Sequence, residues 1–172
     1  SLKEMLEGKG FRHHNNWVKL SRNLDPESPA QTSLHVRRIA SREAADFARI
    51  VAPAFDWPGM MQPWLTRIVD RPAWHHYMAY DGDKPVATGS FYVKNSHAWI
   101  DFAATLPEYR GKGAQSALAE RRIRDAAESG CRLLVVETAE QTPEHSAPSY
   151  RNMIRLGFEV AYVRPNYIFT FS

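Results

Sequence analysis

The stretch YRGKGAQSAL, residues 109–118, decides how this chain is read. Gly111 and Gly113 stand two apart, flanked by Arg110 and Lys112. Such a run is either a turn that starts a helix or a cradle for an anion. A helix N-terminus carries unpaired N–H groups and about half a positive charge, so it suits phosphate. Glycines let the backbone approach phosphate oxygens with no Cβ in the way. Two rival phosphate loops are excluded. A dinucleotide GxGxxG needs glycine where Ser116 stands, and it needs a βαβ unit, whereas hairpin signals precede this run. A P-loop needs GxxxxGK[ST], and here Ala114 follows Gly113. Residue chemistry alone leaves turn and cradle level, so the neighbours decide.

Upstream lie three strand candidates, residues 74–80, 85–93 and 97–105, joined by Asp81-Gly82-Asp83-Lys84 and by Lys94-Asn95-Ser96. Asp-Gly and Asn-Ser between aromatic and β-branched runs are hairpin signals. Downstream, a long helix is predicted from about residue 112 to 129, stopped by Gly130. RLLVVET (132–138) is the most apolar strand and is expected to be central. A polar loop (139–147), a helix near 149–156, Gly157 and strands near 158–163 and 167–171 follow. Toward the front, a strand at 34–39 precedes a helix over 41–55 that Ser41 is expected to cap. A second helix over 59–69 opens at Trp57-Pro58-Gly59. Residues 1–8 read as a short helix and 17–22 as a strand, and NLDPESPAQTS (23–33) reads as a linker. The order β-α-α-β-β-β-α-β-α-β-β places the chain in the α/β (α+β) class. A mixed, mostly antiparallel sheet flanked by helices is expected. The predicted division is an N-terminal helix–strand extension and linker, 1–33, and a main domain, 34–172.

The 172 residues, 44% hydrophobic and 24% charged, suit one globular domain with a real core. The net charge of +3 is spread without a dense basic tract, so no nucleic-acid partner is expected. No apolar run approaches the roughly 20 residues that span a bilayer, so no membrane partner is expected either. Cys131 is the lone cysteine and reads as a buried thiol in CRLLVV; with no signal-peptide core in SLKEMLEGKG, a cytoplasmic location is expected. The chain opens on Ser1 rather than Met, which fits a cloning scar or a segment cut from something longer. His13-His14 and His75-His76 are adjacent pairs; on strands they point to opposite faces, so no metal site is expected.

TLPEYRGKGAQSAL (105–118) resembles the acyl-CoA-binding segment of the GNAT superfamily of N-acetyltransferases, whose pattern is [QR]xxGx[GA] after a V-x-P strand exit. Arg110 and Gly113 match and Pro107 is kept; Thr105 stands for Val, and Gln115 replaces the final small residue. SYRNMIRLGF (149–158) is similar to the family's helix-then-Gly-Phe element, and the element order agrees over about residues 34–172. The resemblance implies acetyl-CoA, or another acyl-CoA, as cofactor. Backbone groups of Ala103 and Thr105 would pair with the pantetheine amides. Arg110, Gly111, Lys112, Gly113, Ala114 and Gln115 would surround the pyrophosphate, with Gln115 helical and its amide placed to donate to phosphate.

The implied reaction is N-acetylation of a primary amine, that of a small-molecule acceptor, by direct attack on the thioester through a tetrahedral intermediate. Asp101 and Glu137 are the candidate bases, and each is equally suited to a structural ion pair. If strand alternation holds, Asp101 shares a face with Ala103 and Thr105. Tyr150 is the candidate acid, because Met153 stands where relatives often carry Tyr. Ser146 replaces the family's Asn and is expected to cap its helix, and Asn152 is a second polar candidate for the cofactor. On the acceptor side, FDWPGMMQPW offers Phe55, Trp57 and Met60, with Met61 and Trp64. They suit either an apolar or aromatic amine or plain core packing. Two alternatives stand beside this reading: an acyl-CoA-binding module without turnover, and a protein acetyltransferase. A homodimer is left open. Finally, LKEMLEGKGF…WVKLSR echoes YRNMIRLGF…YIFTF, which suggests the tail of an upstream unit of the same kind or a chance likeness.

Overall fold

The structure, a computed structural model, describes residues 1–24 and 34–171; most of the expected linker lies outside the described residues. In chain order come α1 (Leu2–Gly8), β1 (Arg12–Asn23), β2 (His35–Arg38), α2 (Ala44–Ala54), α3 (Gln62–Ile68), β3 (Trp74–Asp81), β4 (Lys84–Lys94), β5 (His97–Thr105), α4 (Ala114–Glu128), β6 (Leu133–Ala139), α5 (Pro148–Arg155) and β7 (Glu159–Ile168). The class is mixed α/β with mostly antiparallel strands flanked by helices, as the sequence predicts. Two compact units form: residues 23–135, and residues 1–22 with 136–172. No described helix is long and apolar enough to cross a membrane.

In the larger unit, β2, β3, β4 and β5 are neighbours in that order, each pair antiparallel. Both predicted hairpins form. Asp81 pairs with Lys84 across a turn that Gly82 enters at φ +57°. Lys94 pairs with His97, and Asn95 and Ser96 both adopt positive φ, which matches the twist of a two-residue hairpin. One face of these strands buries Met78, Tyr80, Phe102 and Ala104 against Phe47, Ile50 and Val51 of α2 and Leu65 and Ile68 of α3. Each fully buried side chain of this size contributes roughly 1.5–3 kcal/mol of transfer free energy. The other face receives α4, whose Asp125 accepts a hydrogen bond from the Tyr77 hydroxyl at 2.6 Å.

Ser41 does not cap its helix. Residues Ser41–Glu43 form a 3-10 turn, the Ser41 hydroxyl donates to Asp70, and Glu43 reaches back to the Ala40 N–H at 2.8 Å. The next predicted helix likewise splits into a 3-10 turn, Gly59–Met61, and α3.

In the smaller unit, β1 lies between β6 and β7. It pairs antiparallel with β7 from Arg12–Ile168 to Ser21–Glu159. The two strands expected at 158–163 and 167–171 are therefore one. Pro165 lies within β7, at the sheet edge, where proline is tolerated. β1 is longer than expected because its polar residues 13–16 find ladder partners that no alternation pattern reveals.

Candidate active site

β5 leaves regular pairing at one point. Thr88 faces Ala104 and Ser90 faces Asp101, so Phe102 and Ala103 together oppose Gly89. This is a β-bulge, and Phe102 takes it up at φ +50°, in a region that L side chains rarely adopt. The bulge reverses the alternation. Ile100 pairs with Phe91, whose ring stacks on Tyr77 on the α4 side. Phe102 and Ala104 instead join the core beneath α2 and α3. Asp101 pairs with Ser90, which bonds to His76, and His76 packs on Phe47 of α2. Asp101 thus lies on the α2/α3 side, whereas Thr105 turns to α4. The expectation that Asp101 shares a face with Ala103 and Thr105 is overturned, because one extra residue flips everything beyond it.

The surroundings hold Phe102 in place. Its N–H donates to Asp101 Oδ1 at 2.7 Å, and its carbonyl accepts from Thr88 Oγ1 at 2.8 Å. Its ring lies 5.4–6.4 Å from those of Phe47, Phe55, Trp57, Trp64 and Trp74. A non-glycine residue at this φ costs about 1–3 kcal/mol. Ring pairs worth about 0.5–1.5 kcal/mol each offset that cost. Phe55 and Trp64 remain 38% and 47% exposed, so part of this cluster is an open rim rather than core. Met60, 81% exposed, projects into solvent beyond it. Burial pushes the Asp101 carboxyl above the usual carboxylate range, while the Phe102 N–H and the Arg122 charge pull it back.

Beyond β5, residues Pro107–Tyr109 form a 3-10 turn and Arg110 is extended. Gly111 and Gly113 sit at φ +77° and +78°. A left-handed residue cannot be helical, so α4 starts at Ala114 rather than at the predicted 112. Gly113 is its N-cap and has no side chain with which to close the first turn. A Cβ on Gly111 would meet nothing within 4 Å, so the glycine there serves the backbone and leaves open space. Lys112 Nζ lies 4.4 Å over the Tyr109 ring.

Gln115 is helical, as expected, but its amide turns back to the strands. Nε2 donates to Ala104 O at 2.8 Å, Thr105 Oγ1 at 2.9 Å and Thr88 O at 3.2 Å. Two amide hydrogens serve three acceptors, so the side chain is committed to the strand end and not to an anion in the loop. Leu106 N–H donates to Val86 O at 2.9 Å. By the period of two, Ala104 faces β4 as well, and the main-chain groups of Ala103 and Thr105 point away from β4.

The remaining candidates belong to the smaller unit. Glu137 on β6 pairs with Lys19 Nζ and lies 3.6 Å from Arg164 Nη2. Burial, and then the Arg164 charge, lower the Lys19 pKa. Tyr150 is half-buried on α5. Ser146 does not cap that helix: Ala147 is the N-cap, and the Ser146 hydroxyl accepts from Arg151 Nη1 at 3.0 Å. Asn152 accepts from Arg155 Nη2 at 3.2 Å, and Met153 is buried. The sequence-predicted residues therefore group as Asp101, Ala103, Thr105, 110–115 and the aromatic rim in one unit, and Glu137, Tyr150, Ser146 and Asn152 in the other.

The model of the acetyltransferase (GNAT) family matches residues 39–158, which takes in β5, the glycine run, α4 and α5. The chain belongs to the GNAT acetyltransferase family. Similar solved structures carry the same fold at low identity. A GCN5-related N-acetyltransferase from Sphaerobacter thermophilus superposes with a TM-score of 0.80 at 18% identity, over 96% of this chain and 55% of its own. One from Kribbella flavida gives 0.69 at 18%, over 96% and 62%. A protein from Clostridium acetobutylicum described as a predicted acetyltransferase, solved with acetyl-CoA, gives 0.59 at 14%, over 73% and 90%. This GNAT chain thus spans little more than half the length of the first two. No curated protein sequence matches it.

Three features of this GNAT domain escape sequence reasoning. Arg122 of α4 is fully buried, although the apolar spacing of Leu118 and Ala126 around it signalled an inward position. Gly89 carries no motif, yet it makes room for that guanidinium. His76 Nε2–H donates to Ile68 O at 3.2 Å, which leaves Nδ1 to accept from the Ser90 hydroxyl at 2.7 Å. Burial lowers the His76 pKa from 6.5 to about 4. Its neighbour His75 stacks on Phe91 across the strand, so the adjacent pair does face opposite ways.

Proposed function

We propose that this GNAT chain transfers the acetyl group of acetyl-CoA to a primary amine on a small-molecule acceptor. The observation that carries the reading is the N-terminus of α4, entered through two left-handed glycines and closed by no capping side chain, next to a bulge that sets Asp101 on the face of β5 opposite Thr105. The cradle fits a pyrophosphate: Gly111 leaves open space, Gly113 adds no capping side chain at the start of α4, and Arg110 and Lys112 add charge. Ala114 and Gln115 contribute main-chain N–H groups there, while the Gln115 side chain braces the strand. Ala103 and Thr105 offer main-chain donors and acceptors on the side of β5 away from β4 for the pantetheine amides. Acetyl-CoA supplies the activated thioester.

Asp101 is assigned as the base that takes the ammonium proton. A carboxyl pushed up by burial is better matched to that task than one held between Lys19 and Arg164, so Glu137 ranks second. Tyr150 is assigned as the acid for the departing thiolate, with Ser146 and Asn152 as polar contacts near the same helix. Phe55 and Trp57, with Met60 at the margin, form an acceptor rim suited to an apolar or aromatic amine. The buried free thiol of Cys131 supports a cytoplasmic setting.

Residues 1–33 are read as an extension of a domain over 34–172. Its α1–Gly10–Phe11–β1 order repeats α5–Gly157–Phe158–β7, with both glycines left-handed at φ +83° and +76°. That repeat supports the tail of a preceding unit of the same kind, and a reading frame that starts at residue 1 would refute it.

The test of function is a CoA-thiol release screen across small amines, with peptides and proteins included. Release with small amines is expected. Release only with polypeptides would make it a protein acetyltransferase, and CoA binding without release for any acceptor would make it a binding module.

A further inference from the structure

The bulge that aims Asp101 rests on a buried cation. Arg122 reaches from α4 to the sheet and is 0% exposed. Its Nε donates to Leu118 O at 3.0 Å within the helix. Its Nη1 donates to Ser90 O at 3.2 Å and to Asp101 O at 3.3 Å. Those are the carbonyls of the last ladder pair before the bulge, where the two strands fall out of register. The guanidinium lies flat on Gly89, the residue opposite the bulge; a Cβ there would be 2.8 Å from Cζ. Nη2 is buried without a hydrogen-bond partner among the described residues. A buried charge is retained at a cost. Packing alone would be served as well by Leu or Met; what Arg122 adds is a charged donor, Nη1, that meets both carbonyls.

We propose that Arg122 is a positioning residue for acetyl transfer: its Nη1 bridges the Ser90 and Asp101 carbonyls, fixes the bulge, and so holds the Asp101 carboxyl on the α2/α3 side. This rests on the reading of Asp101 as the base. The arrangement has a clear division of labour. Gly89 admits the guanidinium, Arg122 fixes the main chain from one face, and Phe102 locks it from the other through its ring contacts. Arg122 touches neither acceptor nor cofactor and acts through residue 101.

The groups facing Asp101 are few. α4 presents Arg122, β4 presents Ser90, and His76 of β3 stands one ladder position further across Ser90. α2 and α3 present the Phe47 and Trp64 rings toward Phe102.

The test compares Arg122→Lys, which keeps the charge and loses the planar guanidinium, with Arg122→Met, which loses both. CoA affinity is measured by calorimetry, and kcat and KM with 2-phenylethylamine as probe acceptor. The Asp101 carboxyl is titrated independently by 13C NMR. Expected are a kcat about tenfold or more lower in both variants, of the order seen when a positioned catalytic group is displaced, and a CoA Kd within about twofold of the parent. In Arg122→Met the Asp101 midpoint rises by about half a pH unit or more, because an opposite charge has gone. A merely structural Arg122 would lower stability and leave the kcat of the folded fraction unchanged in both variants, which would overturn the proposal. If Arg122→Met does not fold, the kcat of Arg122→Lys decides alone. If the parent releases no CoA with any amine, the transferase reading fails by itself; an unmoved Asp101 midpoint then overturns the positioning role, and a moved one sustains the Arg122–Asp101 coupling.

Discussion

Gly89→Ala is the smallest change that reaches the buried guanidinium. On local grounds it should stabilise: Gly89 has no positive φ, and replacing a strand glycine by alanine gains about 0.5–1 kcal/mol. The tertiary structure reverses the sign. The new Cβ would lie 2.8 Å from Arg122 Cζ, 3.0 Å from Nε and 3.1 Å from Nη1. An arginine tip usually swings aside at little cost, but this one is fully buried and donates to three carbonyls. Overpacking of this kind costs about 1–3 kcal/mol. Loss of a hydrogen bond from a charged donor costs about 1.5–3 kcal/mol. The two costs are alternatives, since the tip either stays and is overpacked or moves and loses a bond, so less the local gain a net loss of about 0.5–2.5 kcal/mol is expected. For a chain of this size, each kcal/mol moves Tm by roughly 2–4 °C, so a fall of roughly 1–10 °C is expected. Urea titration and thermal melting followed by circular dichroism would measure it. An unchanged or raised Tm would refute the packing argument and, with it, the tight seating of Arg122.

Gln115→Ala should cost about 1–2 kcal/mol in urea, since one amide that serves three acceptors is lost and the net worth per bond is about 1 kcal/mol; CoA affinity by calorimetry should stay within about threefold if the side chain braces the strand rather than the phosphate. His76 is buried neutral with its pKa lowered from 6.5 to about 4, so the unfolded chain binds the extra proton first as pH falls. Its stability contribution is complete above pH 6.5 and shrinks by about 3 kcal/mol on the way down to pH 4, and His76→Asn should flatten that slope in pH-dependent unfolding. Asp101→Asn should lower kcat about 100-fold or more with CoA affinity retained. Tyr150→Phe should lower it less, and Glu137→Gln should chiefly destabilise by leaving Lys19 and Arg164 without their shared partner. Equal turnover in Asp101→Asn and the parent would remove the assignment of the base.

Much of the fold was legible because local chemistry and period agree along most of the chain. Asp81-Gly82 and Asn95-Ser96 sit between alternating runs and make the turns they predict. Ser41 and Ser146 misled for one reason: each has a local role on the sequence and a tertiary partner that takes precedence. Ser41 finds Asp70, and Ser146 finds Arg151.

The glycine run, its two left-handed turns and the helix it opens follow from residues 109–118 themselves, since only glycine adopts that backbone cheaply and only the next residue can begin the helix. The family pattern follows with them. Long-range contacts settled the rest. The side of β5 that carries Asp101 depends on a single unpaired residue, and a strand's sequence does not record how its partner is registered. The direction of the Gln115 amide depends on carbonyls at Thr88 and Ala104, and the burial of Arg122 depends on a missing side chain at Gly89, thirty-three residues earlier in the chain. Sequence fixes what each segment is able to form; which atoms a polar side chain meets is decided only when distant strands set their register.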